Sequence, residues 1–451
     1  MTKRYIREAR PRFEHLLAEL VELPSVSMDP AHAADVRKTA TVAAQVLASF
    51  GAEARLIETE GYPVVWGGWT VDRRAPIVTI YNHLDVQPAQ EPEWTRRPFA
   101  FQKQDGLYRG RGATDDKGPA LTALLAAKYA VEQGLPLNIH VLWELEEEIG
   151  SPHFAQALQP RHRIPAPDSV LVSDTIWIAR NKPAMAYGLR GLLAVKMTLR
   201  TGRVDAHSGL TGGAARNPLA ELAAVAAACV DAKTGRVTIP GFYDDVVPPT
   251  KGEIADFLAS GFEVARFKKA YGLESLRATQ PAEILRRIWA TPTFEVHGLA
   301  GGYQGPGVKT VVPAYGELKV SMRLVSHQKP ERIFARLKRF VAGVNPDVKV
   351  EAQGMLQPYL GPRTGPYAEA AKRAMVAGFG KAPAMIREGG SIGAVVTMQR
   401  AWRAPILFMG LSLPEHGYHA PNEYFDWGQA SGGMKALSAY FAELAAMKRR
   451  A

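Results

Sequence analysis

Ile77-Val78-Thr79-Ile80-Tyr81-Asn82-His83-Leu84-Asp85 opens on five β-branched or aromatic residues and closes on a histidine and an aspartate. Such a run is too short for a helix and reads as a buried strand, with His83 at its C-terminal end. Two further stretches repeat the arrangement. Leu137–Leu142 runs into Glu144-Leu145-Glu146-Glu147-Glu148, and Ser169–Ser173 runs into Asp174. Between the first two lies Pro119–Gln133, a helix with proline in its first turn and Gly134 at its stop. Strands alternating with helices predict a mostly parallel α/β sheet. In sheets of this type ligands gather beyond the C-terminal strand ends, which is where His83, Glu148 and Asp174 fall.

Working outward, Phe13, Leu16, Leu17, Leu20 and Val21 mark a first amphipathic helix that Pro24 ends. A second helix runs to about Phe50 and stops at Gly51. From about Leu192 the pattern changes. Val195, Met197 and Leu199 alternate with polar residues, as on a strand covered on one side. A helix follows, with Asn217 as N-cap and Pro218 at N1. Leu318, Val320, Met322 and Leu324 alternate again; Pro330–Val341 reads as an amphipathic helix and Val348–Ala352 as a last strand. After Pro366 the α/β character returns, with a core strand at Ile406-Leu407-Phe408-Met409 and a closing helix through Ala430, Met434, Leu437, Phe441 and Leu444. The expected architecture is an α/β domain formed by residues 1–187 and 365–451. A smaller α+β domain, 188–364, interrupts it.

The bulk numbers agree. A chain of 451 residues exceeds one ordinary core. Hydrophobic content of 47% and charged content of 22% are those of a globular protein. The single cysteine, Cys229, excludes an internal disulfide and fits a reducing compartment, so a cytoplasmic location is expected. The opening Met1-Thr2-Lys3-Arg4-Tyr5-Ile6-Arg7 has no apolar signal core, and no apolar run approaches the roughly 20 residues of a membrane span. Net charge is +11, from 55 basic and 44 acidic residues. The basic residues are dispersed, densest at Lys3 to Arg12 and at Lys448-Arg449-Arg450, with no basic-aromatic or helix-turn-helix frame. They read as a solvated surface with a mild pull on anionic substrates. Neither a nucleic-acid partner nor a membrane is expected.

Chemistry concentrates in a few frames. In Gly110-Arg111-Gly112-Ala113-Thr114-Asp115-Asp116-Lys117-Gly118, glycines flank paired acids just before a helix start. The glycines give the backbone freedom a bridging carboxylate needs. His83-Leu84-Asp85 places a carboxylate where it can accept the second ring N–H of a ligating histidine. His419 follows the last strand in His416-Gly417-Tyr418-His419-Ala420-Pro421-Asn422-Glu423. Two histidines and three carboxylates, His83, Asp115, Glu148, Asp174 and His419, suit two divalent ions sharing one carboxylate. Paired ions of this kind are a common device for amide hydrolysis.

Together with Asp205-Ala206-His207-Ser208-Gly209, Gly307-Val308-Lys309-Thr310, Ser321-Met322-Arg323-Leu324 and Arg387-Glu388-Gly389-Gly390-Ser391-Ile392, these segments resemble the M20 metallopeptidases, in their dipeptidase and carnosinase-like branch. The resemblance covers nearly the whole chain. It implies that Asp115 bridges two metals, with His83 and Asp174 on one and Glu148 and His419 on the other. It implies Glu147 as general base, with Asp85 behind His83. The inserted domain becomes a lid and dimerisation domain, whose His207 reaches the active site of the partner subunit and steadies the oxyanion. Arg323, Gly390 and Ser391 resemble the group that holds the substrate carboxylate. The implied protein is a homodimeric exopeptidase for dipeptides or short peptides. It would carry two divalent ions per subunit, zinc first, with manganese or cobalt tolerated. The alternative is a deacylase of N-acyl amino acids, since the same metal core serves both. Three departures stand out. Glu146-Glu147-Glu148 leaves the base-ligand frame ambiguous by one residue. Gly393 stands where many relatives have proline. His416 competes with His419 as a ligand and ranks below it.

Overall fold

The computed structural model describes residues 3–447, so the basic group Lys448-Arg449-Arg450 lies outside the described residues. A six-stranded sheet forms the centre, in the order Glu53–Ile57, Val64–Trp69, Asn138–Glu144, Ile77–His83, Ser169–Val172, Ile406–Phe408. The last four strands are parallel, and the first two form an antiparallel extension at one edge. All seven residues of Ile77–His83 are buried, as are all seven of Asn138–Glu144. Such doubly covered strands lose the alternation of half-exposed ones and read as continuous runs.

Helix Lys3–Val21 buries the five apolar residues that its spacing selects. Helix Gly118–Glu132 is buried on every side through Ala127, being packed between Lys3–Val21 and Trp427–Ala445. Among the described residues no helix is long and apolar enough to cross a membrane.

The second sheet is antiparallel, ordered Glu295–Gly301, Tyr315–Leu324, Gly191–Arg200, Lys349–Leu356. Its alternating residues point one way only. Leu193, Val195, Met197 and Leu199 meet Leu318, Val320, Met322 and Leu324 under helices Pro218–Cys229 and Pro330–Val344. Asn217 caps the first helix, accepting from the N–H groups of Leu219 and Ala220. These residues form a core separate from the main one. Cys229 is buried in it.

Helices Lys251–Ala259 and Pro281–Ala290 behave differently from the sheet around them. Their Phe257, Leu285 and Trp289 join the main core. Glu253 pairs with Arg387 and accepts from the Tyr187 hydroxyl at 2.6 Å, inside the main body. Burial raises the Glu253 carboxyl, but its hydrogen bonds from Tyr187 and Thr250 and the pairing with Arg387 prevail and bring it to about 2. Removing one partner of so buried a pair leaves the other charge uncompensated.

Candidate metal centre

Because the parallel strands point the same way, their C-terminal ends share one edge of the sheet. His83 is the last residue of its strand, paired with Glu144, and Asp174 lies just past Val172. Asp115 reaches the same place from the loop before helix Gly118–Glu132. Gly112 takes φ +84 there, and a Cβ would sit 2.6 Å from Val86 Cγ1, so only glycine fits. Glu423 holds this loop in shape. Its carboxylate accepts from the backbone N–H groups of Gly112 (3.0 Å), Thr114 (2.8 Å) and Asp115 (3.1 Å), and from Arg111 at 2.9 Å.

The carboxylate of Asp115 stands between the two histidines. His83 Nε2 is 2.9 Å from its Oδ1, and His419 Nε2 is 2.8 Å from its Oδ2. His83 Nε2 lies 3.7 Å from Asp174, and His419 Nε2 lies 3.3 Å from Glu148. One atom each from Asp115, Glu148 and His419 fit within 4.8 Å of one another; so do atoms of His83, Asp116 and Asp174. The five ligand-type residues expected from the sequence are therefore together. Asp116 is an addition: paired acids in one motif left its role open, and its carboxylate turns toward His83 and Asp174 rather than to solvent.

Charge tests whether metals fit. Burial drives the carboxyls of Asp116 and Glu147 well above the ordinary range, raises Glu148, and brings Asp174 to about 6. For Asp115 burial acts the same way, but His419 and His83 outweigh it and hold the carboxyl low. In return Asp115 and Glu148 lift His419 to about 11 against the pull of burial. Five acids thus crowd around the buried His83 and the half-exposed His419, an arrangement that calls for further positive charge. Asp115 Oδ2 and Asp116 Oδ1 are also buried without an aligned hydrogen-bond donor. Oxygen atoms in that condition, beside two imidazoles, are donors for divalent ions.

The three consecutive glutamates separate cleanly. Glu146 turns inward, accepting from the N–H groups of Tyr62 (3.0 Å) and His153 (3.2 Å). Glu148 faces His419 and accepts from Gln87 at 2.7 Å. Glu147 lines the cleft. Asp85 organises the pair: its carboxylate accepts from the N–H groups of Glu147 (3.2 Å) and Glu148 (3.0 Å) and from Ser27 at 2.6 Å. His83 Nδ1 lies 3.0 Å from the Asp85 carbonyl and 3.5 Å from its carboxylate. The backbone oxygen is thus the nearer acceptor of the ring N–H.

A cleft of about 1040 Å³ begins at Glu147, Glu148, Asp174 and His419 and extends to Arg190, Arg323 and Ser391. Arg323 donates to Ser391 at 3.3 Å, and Ser391 donates to the carbonyl of Arg190. Burial and the neighbouring Arg323 pull Arg190 down to about 10. Gly390 also lines the cleft, with open space where a Cβ would point. Gly393 packs against the glutamate turn, where a Cβ would fall 2.6 Å from the carbonyl oxygen of Gly150.

The sequence assigned no role to three cleft residues, although two of them stand inside the quoted motifs. Tyr418 donates to Asp174. Arg190 was one arginine among many. Glu388 accepts from Ile176 N–H through Oε1 while its Oε2 is buried without a partner, and burial pushes its carboxyl up to about 8.

His207 stands apart. It is exposed, in the short strand Ala206–His207 paired with Val311–Val312, and its Nδ1 accepts from Gly209 N–H at 2.9 Å. It does not line this chain's cleft. His416 is buried between Thr114 (2.9 Å) and Asp426 (3.0 Å), so it braces the loop rather than joining the ligands.

Human Beta-Ala-His dipeptidase is 30% identical over 98% of this chain and 92% of its own length. The Cys-Gly metallodipeptidase of Schizosaccharomyces pombe is 30% identical over 98% of this chain and 97% of its own. The crystal structure of an M20 family metallo-carboxypeptidase from Sulfolobus solfataricus superposes with a TM-score of 0.89, covering 96% of this chain and 99% of that one at 28% identity. The family model of Peptidase family M20/M25/M40 matches residues 79–443, from the strand that ends in His83 to the closing helix, and this chain belongs to that family of metallopeptidases.

Proposed function

We propose that this protein is a two-metal dipeptidase. The observation that carries the reading is the composition of the cleft. Beside the ligand cluster it offers a buried carboxylate oxygen with no partner, on Glu388, and a cationic corner at Arg190, Arg323 and Ser391. A dipeptide carries both the ammonium that the first can receive and the carboxylate that the second can receive. An N-acyl amino acid has no ammonium to give Glu388, which makes the deacylase reading the weaker one.

His83, Asp115 and Asp174 would hold one ion, with Asp116 beside them, and Asp115, Glu148 and His419 the other. Zinc is the ion we propose; manganese and cobalt suit the same donors. When bound, the ions supply Lewis-acid polarisation of the scissile carbonyl and acidify the attacking water. Glu147, which lines the cleft outside both ligand groups, would take the proton from that water and hand it to the leaving amine. Arg323, Gly390 and Ser391 hold the carboxylate end of the substrate. A cytoplasmic location rests on the lone cysteine.

With metal restored, the protein is expected to hydrolyse a dipeptide panel at least tenfold faster than the matching N-acetyl amino acids, a ratio typical of sites with an unmet polar partner, in which factors of about 10⁴ occur. Faster turnover of the N-acetyl series would replace this reading with the deacylase one.

We further propose that residues 188–364 form a lid through which two chains pair, with 1–187 and 365–451 as the catalytic domain. Supporting this, edge strand Glu295–Gly301 exposes Val296 and Leu299, and Val204, Leu210 and Val308 are exposed near His207. His207 of the partner subunit then completes each site as an oxyanion donor. Losing such a donor typically costs about 10²–10³ in turnover, so His207→Ala should be nearly inactive while holding its metal. Exchanging His207→Ala with Glu147→Gln subunits should restore activity, because a mixed dimer has one site with both defects and one with neither. Confirmed exchange with no recovery would show that His207 does not act across the dimer.

A further inference from the structure

One wall of the cleft has no part in the chemistry above. Phe262, Phe267, Tyr271 and Ile288 line it. Three of these are a ladder of rings, Phe262 to Phe267 at 5.3 Å between centroids and Phe267 to Tyr271 at 5.1 Å. The ladder is borne by helix Val264–Ala270 and its flanks, between helices Lys251–Ala259 and Pro281–Ala290. Both of those helices pack on strand Ala384–Glu388. The Arg387–Glu253 pair fixes the first of them there. The ladder is thereby held on the side of the cleft where Glu388 ends its strand. The cleft walls around the hydroxyl end of the otherwise exposed Tyr271 raise its phenol, and the Glu388 charge raises it further, which agrees with that placement.

Phe262 leans on the main core, but Phe267 is only half-buried and Tyr271 is exposed. Aromatic surface left wet inside a substrate cleft gains free energy when an apolar ligand group covers it. The group nearest to Glu388 is the side chain of the residue whose ammonium that carboxylate receives. We infer that the Phe262–Phe267–Tyr271 ladder is the specificity wall for the N-terminal residue of the substrate and selects bulky apolar or aromatic side chains there. The inference rests on the dipeptidase reading and deepens it.

The test is kcat/KM of the metal-loaded protein on two dipeptide series, X-Ala and Ala-X, with X as Gly, Ala, Leu and Phe. From Ala-Ala to Leu-Ala or Phe-Ala it should rise by about tenfold or more, within the range that added apolar bulk is worth in a pocket. The Ala-X series should change much less. Phe267→Ala should flatten the X-Ala preference, Phe267→Leu should keep most of it, and Tyr271→Ala, at an exposed position, should reduce it without any demand on the core. A flat X-Ala series, a preference confined to Ala-X, or a preference that survives in both Phe267→Ala and Tyr271→Ala would overturn the inference while leaving the dipeptidase reading intact. Turnover of N-acetyl amino acids with no dipeptide hydrolysed would overturn both.

Discussion

Glu147→Gln is expected to keep both metal ions and to lose about 10²–10⁴-fold in turnover, the usual contribution of a positioned general base. The substitution is nearly isosteric and removes only the ability to accept a proton. Its neighbours are engaged elsewhere: Glu146 with Tyr62 and His153, and Glu148 with His419 and Gln87. The Glu147 backbone N–H that Asp85 receives is unchanged by the substitution, so the turn should keep its shape. Metal analysis beside single-turnover kinetics checks this. Should metal content drop in step with activity, Glu147 is a ligand and the base lies elsewhere in the run.

Asp115→Ala should lose both ions, whereas His83→Ala should chiefly weaken one. Asp115 is the residue whose two carboxylate oxygens face different histidines, at 2.9 and 2.8 Å. Its loop should survive the change, because Glu423 holds it through the N–H groups of Gly112, Thr114 and residue 115, all retained in the variant. Loss of metal would then reflect a missing bridge rather than a collapsed loop. Full occupancy of both sites in a folded Asp115→Ala protein, measured after dialysis, would end the bridging assignment.

His83, Glu148 and Asp174 were legible in the sequence because each follows a short β-rich run, and parallel strands deliver their C-terminal ends to one edge; Asp115 stood out instead by the glycines that flank its acid pair before a helix. The lid sheet was legible for a related reason: Val195, Met197 and Leu199 alternate because only one face of that sheet is covered. Distance along the chain hid the rest. Glu423 gathers amides from residues 112 to 115, and Tyr418 reaches Asp174, across contacts that no local pattern announces. Asp116 was visible as an acid, but which way its carboxylate turns is decided by Asn82, which donates to it at 2.6 Å. The antiparallel edge pair Glu53–Ile57 and Val64–Trp69 escaped because Gly67 and Gly68 interrupt the second strand's β-rich run. Helices Lys251–Ala259 and Pro281–Ala290 fall within the lid stretch of sequence yet pack on the main core, a choice made by Phe257, Leu285 and Trp289 in three dimensions.

The two ligand groups differ in when they can exist. His83, Asp116 and Asp174 all lie in the first half of the chain, whereas the group of Asp115 and Glu148 needs His419. More than half of the polypeptide separates Asp174 from that histidine. As the chain leaves the ribosome, its acids are made long before His419, before the Glu423 that shapes their loop and before the strand that completes the sheet. In the emerging first half the acid cluster therefore stands incomplete, and the second group closes only when the final segment folds back. Completing the cluster is an event of the finished chain, a built-in delay between synthesis and the capacity to act on peptides.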